Sequence, residues 1–111
     1  MKYIKTYEYR TKQPKIGDYV LVTDFEIDEL EVKNFIETNI GQIIEIDKSA
    51  EVPYCVVFEK VPIEYKIRPY FGFDCKDKIK NCRWFKRDEI LNFSSNKEDL
   101  EVILAAKKYN L

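Results

Sequence analysis

Apolar residues in this chain come in short bursts, and that pattern limits its fold more than any other feature. Tyr19-Val20-Leu21-Val22, Ile40 to Asp47, Tyr54 to Glu59 and Asn81 to Phe85 are brief runs of β-favouring residues. The chain has only three glycines, Gly17, Gly41 and Gly72, and each stands beside such a run, where turns and bulges fall. A polar stretch from Lys48 to Val52, with Pro53 at its exit, joins two of the runs into a predicted hairpin. Strands are therefore expected over 18–22, 40–47, 54–59 and 82–85, with a single tight turn at Arg87–Ile90. Tyr70 to Phe73 reads as a further short strand, and Tyr3, Tyr7 and Tyr9 share one face of an edge strand or arm. From Lys60 to Pro69 two prolines and no clean period indicate an irregular crossing.

The C-terminus carries the one strong helical signal. Ser95-Asn96-Lys97-Glu98 has the spacing of a capping box, in which serine and glutamate each accept an orphan amide. Leu100, Ile103, Leu104 and Leu111 follow as a stripe, and Lys107 and Lys108 sit where the helix dipole favours cations. A helix over about 96–108 is predicted, packed on the sheet. The 111 residues are expected to form a single domain, 1–111, with a β core over about 15–91.

Composition excludes much chemistry. There is no histidine, which removes Ser-His and Cys-His catalysis and histidine metal sites. No P-loop, dinucleotide-binding, serine-hydrolase or EF-hand pattern is present. The chain is predicted not to be an enzyme and to carry no cofactor and no metal; no small-molecule substrate is evident. No apolar run reaches the ~20 residues of a membrane helix, so no membrane partner is expected. Residues 1–5 have no apolar core of signal-peptide length. Cys55, Cys75 and Cys82 form no closed disulfide set and no CxxC pair, so reduced thiols in a cytoplasmic protein are expected.

Gly17-Asp18-Tyr19-Val20-Leu21-Val22, followed by Ile40-Gly41-Gln42-Ile43-Ile44-Glu45-Ile46-Asp47, resembles the opening of an SH3-like barrel of the KOW type. In such barrels a Gly-Asp turn starts the first strand and a glycine opens the second. The resemblance covers about residues 15–59 and extends to Phe85 if later strands follow. It implies a mainly β fold, an antiparallel barrel of about five strands with a C-terminal α-helix, and binding of RNA or other proteins. The segment Asp24–Asn39 departs from the short, often basic loop of that family. It is sixteen residues long and holds six acidic side chains against Lys33 alone, a surface that would repel phosphate.

Charge is segregated along a chain whose net charge is only −1. Residues 24–51 carry nine acidic and two basic side chains, and residues 60–87 carry nine basic and three acidic ones. Such patches steer association more than they add affinity. The expected function is a small non-catalytic protein-binding module, adaptor or inhibitor. In its acidic loop, Phe35 and Ile36 would form a contact core rimmed by Glu29, Glu31 and Glu37. The same pair would alternatively fold down as a lid over one end of the β structure. A nucleic-acid-binding accessory is the second functional reading. It would use the basic, aromatic segment 65–87 through Lys76, Lys78, Lys80, Arg83, Lys86 and Arg87.

Overall fold

The computed structural model describes residues 13–67, 71 and 81–109. Its strands are β1 (Tyr19–Val22), β2 (Gly41–Ile46), β3 (Tyr54–Phe58), β4 (Cys82–Phe85) and β5 (Ile90–Ser94). Helix α1 (Leu30–Thr38) lies between β1 and β2, the short α2 (Ile63–Ile67) follows β3, and α3 (Lys97–Tyr109) follows β5. All ladders are antiparallel, in the order β4-β3-β2-β1-β5. The molecule is thus mainly β with a C-terminal helix, and among the described residues no helix is long and apolar enough to cross a membrane.

The predicted barrel does not close. No ladder joins β4 to β5, the two edges of the sheet. Yet only residues 86–89, including the 3₁₀ turn Arg87–Glu89, connect those edges. In a flat sheet the edges would lie four strand spacings, roughly 19 Å, apart. A 3₁₀ turn climbs only about 2 Å per residue. The sheet must therefore curl until its edges approach, and the core confirms it: Phe85 of β4 shares one cluster with Ile90 and Phe93 of β5.

Two bulges support the curl. The β2–β3 register shifts between Ile43 and Glu45, so Ile43 and Ile46, three apart, both face the core. The β1–β5 register shifts between Leu21 and Val22, and Ile90 and Phe93 likewise reach one face. An extra residue in one strand bends it and increases its twist. Gly41 belongs where strands meet closely, since a Cβ there would come within 2.3 Å of Val56 Cγ1. Gly17, at φ +96°, makes the turn into β1 that other residues adopt only with strain.

Core residues come from every strand: Val20, Val22, Ile43, Val56, Phe58, Phe85 and Ile90 are all buried. Ile46, Val57 and Trp84 are only half-buried. Leu21 alternates to the opposite face and is buried there, and α3 runs against β1 and β5, burying Leu100. The first turn of α3 is capped differently from the sequence expectation. Asn96 Oδ1 accepts the Glu98 amide, while Ser94 Oγ accepts the Asn96 amide and donates to Asp99. Ser95 is exposed, and the capping role passes to its neighbours because the helix starts at Lys97.

One segment holds more helix than its sequence suggested. The crossing after β3 contains α2, begun by a turn in which the Tyr65 amide donates to the Pro62 carbonyl. The expected strand at 70–73 lies outside the described residues except for Phe71, which is buried; the arm at 3–9 lies wholly outside them.

Candidate functional site

The acidic segment after β1 is the first surface to place. Its helix α1 turns Val32 and Ile36, four apart, into the core, both with no exposure. Phe35 is half-buried and meets Phe58, Tyr65 and Phe71 at ring-centroid distances of 5.8 to 6.0 Å. Ile36 is therefore a core residue with no surface to offer a partner, which corrects its expected place in a contact core. The segment acts as a cover over the sheet. Glu37 is half-buried and accepts the Thr23 hydroxyl. Glu31 is exposed, and Glu29 is half-buried just ahead of α1.

The start of this segment is stapled to the basic half of the chain. Asp24 is 2% exposed. Its Oδ1 accepts the amides of Glu26 and Ile27, and its Oδ2 accepts Arg83 Nε at 2.6 Å. Glu89, 3% exposed, accepts the amides of Phe25 and Lys86 on its two carboxylate oxygens, and its carbonyl accepts the Thr23 amide. Lys86 Nζ approaches Glu26 at 3.5 Å. Two ion pairs, Asp24–Arg83 and Glu26–Lys86, thus link oppositely charged runs that are remote in sequence. Buried carboxylates of this kind hold a loop by accepting several amides at once.

These pairings bear on the basic residues too. Arg83 and Lys86 face Asp24 and Glu26. Lys76, Lys78 and Lys80 lie outside the described residues. Arg87 is held by three contacts. Its Nε donates to Gln13 Oε1 at 3.0 Å, its Nη1 to the Ile90 carbonyl at 3.3 Å, and its guanidinium lies 5.3 Å from the Phe93 ring centroid.

Arg87 also borders a feature that sequence reading missed. An open groove of about 1010 Å³ runs between residues 13–16, the end of β2, the β2–β3 turn and the start of β3. Pro14, Ile46, Pro53 and Tyr54 form its apolar surface, beside Ile16, which is 63% exposed. Lys15, Lys48 and Arg87 supply cations, and among the described residues no carboxylate lines it. The nearby Asp18 and Asp47 are turned into their own turns, accepting from Lys15 N–H and from the amide and hydroxyl of Ser49. Two smaller clefts, of about 360 and 290 Å³, meet around Ile40, Phe58, Glu59 and Lys97.

The second face of the sheet carries a small cluster of Ile44, Cys55, Val57, Cys82 and Trp84. Burial, and then the charge of Glu45, push the Cys55 thiol up to about 12. A neutral thiol at ordinary pH is a poor nucleophile. Cys55 is free, whereas Cys82 is disulfide-bonded, which corrects the expectation that all the thiols are reduced. Among the described residues no group of three His, Cys, Asp or Glu side chains is placed to hold a metal ion. Comparison of the chain with protein-family models, curated proteins and solved structures found no match.

Proposed function

We propose that this chain is a small non-catalytic protein-binding module, acting as an adaptor or inhibitor, on an SH3-like sheet. The observation that carries the reading is the groove beside Ile16. It joins exposed apolar surface to three cations in one concavity, while the acidic segment's apolar pair is turned inward. Binding sites combine apolar surface with a few placed polar groups in this way. The turn at Gly17-Asp18 and the close packing at Gly41 support the SH3-like assignment. The nucleic-acid reading has less support, because Arg83 and Lys86 already pair with carboxylates within the fold.

Site-specific photo-crosslinking in the source cells tests the reading. A photoreactive side chain at Ile16 is expected to trap a protein, and one at the exposed Glu31 to trap none. Adducts confined to Glu31 would move the interface to α1. Adducts to nucleic acid at either position would replace the protein-binding reading.

A further inference from the structure

Resting on that reading, we propose that the groove takes an acidic segment of a protein partner, with an apolar side chain seated between carboxylates. The argument is charge complementarity on a prepared surface. Lys15 and Lys48 are exposed, and neither ammonium group is paired among the described residues. Arg87 is different in kind. Its Nε and Nη1 are held by Gln13 and the Ile90 carbonyl, and its plane lies near the Phe93 ring, while Nη2 has no partner among the described residues. A guanidinium immobilised in this way presents its remaining N–H donors with little further loss of side-chain freedom, which favours a carboxylate.

The apolar part of the surface is equally prepared. The rings of Pro14 and Pro53 fix their φ angles, and Tyr54 is only 8% exposed, which limits movement of the floor on binding. Ile16 stands exposed at the edge, held by a turn closed from the Asp18 amide to the Lys15 carbonyl and from Gly17 N–H to the Ile43 carbonyl. A large apolar side chain kept exposed on a rigid turn marks a contact surface when polar groups surround it. Residues 1–12 of the chain itself carry four basic side chains against Glu8, which is the wrong sign for this rim. The occupant is thereby an acidic segment of another protein.

The probe is a peptide of about ten residues in which glutamates alternate with leucine and phenylalanine, paired with a control bearing glutamine for every glutamate. The isotope-labelled full chain is titrated with each, following backbone amide shifts. We expect shifts concentrated on residues 13–17, 46–48, 54 and 87. Affinity should fall several-fold between roughly 0.02 and 0.3 M salt, as the screening length drops from about 20 Å to about 6 Å. Charge reversal at two exposed positions, Lys15→Glu with Lys48→Glu, should weaken binding about tenfold while the spectrum stays folded. Ile16→Ser should weaken it without changing the salt dependence.

Equal affinity for the glutamine control, shifts mapping elsewhere, or undiminished binding to the doubly reversed variant overturns the proposal. So does tighter binding of a short oligothymidylate at the same ionic strength, since a phosphate ligand is then preferred. A protein trapped at Ile16 together with no binding of the acidic peptide removes this proposal and leaves the binding-module reading in place.

Discussion

Replacing Asp24 should damage this fold more than any other change to an acidic residue. The carboxylate is 2% exposed and takes part in three hydrogen bonds, two from backbone amides at 2.8 and 3.1 Å and one from Arg83 Nε at 2.6 Å. Asp24→Ala leaves all three donors without their acceptor. Hydrogen bonds to a charged group are each worth ~1.5–3 kcal/mol, and breaking a buried ion pair from one side costs about 3–5 kcal/mol. The Arg83 side chain keeps 20% of its exposure, so water recovers part of that loss. The expected destabilisation is about 3 kcal/mol, a large part of a small domain's stability. Asp24→Asn retains an oxygen for the two amides and loses only the charge, and should cost about 1–2 kcal/mol. Urea unfolding followed by Trp84 fluorescence and far-ultraviolet circular dichroism measures both. With a slope of about 1–2 kcal/mol per molar urea, the alanine variant should unfold roughly 2 M earlier than wild type. An alanine variant within about 0.5 kcal/mol of wild type would show that the staple contributes nothing. An asparagine variant as unstable as the alanine one would show that the ion pair, and not the turn, holds the loop.

Ile36→Ala should cost about 2–4 kcal/mol, because the side chain is wholly buried under α1, whereas Glu31→Lys should leave the urea midpoint unchanged; the reverse order would restore Ile36 to the surface. Gly41→Ala should destabilise by about 1–3 kcal/mol, since its Cβ would meet Val56 Cγ1 at 2.3 Å, and Gly41→Ala combined with Val56→Ala should recover part of that loss; calorimetry of the two variants decides. Cys55 keeps its proton in the folded chain until about pH 12 and loses it near 9.0 when unfolded, so the folded state binds the extra proton between those values. Its contribution is intact below pH 9 and falls as pH rises through that window, by up to ~1.4 kcal/mol per unit. The difference in stability between wild type and Cys55→Ala should change with that slope, and native Cys55 should resist alkylation at pH 8; fast alkylation there would place the thiol at the surface.

Local signals settled most of the secondary structure. β1 to β4 are each a short β-rich run with turn residues at its ends, and α3 is a stripe of apolar residues with an acidic start and a basic end. Such signals depend on neighbours a few residues away, so one chain suffices to read them. β5 escaped because its core residues, Ile90 and Phe93, are three apart, and only the bulge against β1 puts them on one face. Closure was equally out of reach: whether five strands shut into a barrel depends on how far they coil, and here β4 and β5 approach without pairing. The charge segregation was plain in the sequence, but its meaning was decided by contacts between Asp24 and Arg83, 59 residues apart. Folding joined the two opposed runs at Asp24–Arg83 and Glu26–Lys86, because a buried carboxylate needs a cation or several amides wherever the chain can bring them. The groove was invisible for the same reason. Its lining comes from four separated stretches, and Lys15, Lys48 and Arg87 share a rim only because β1, β2, β3 and the 3₁₀ turn place their ends together. Periodicity records which residues leave water; which of the remaining ones meet is set by the path of the chain between them.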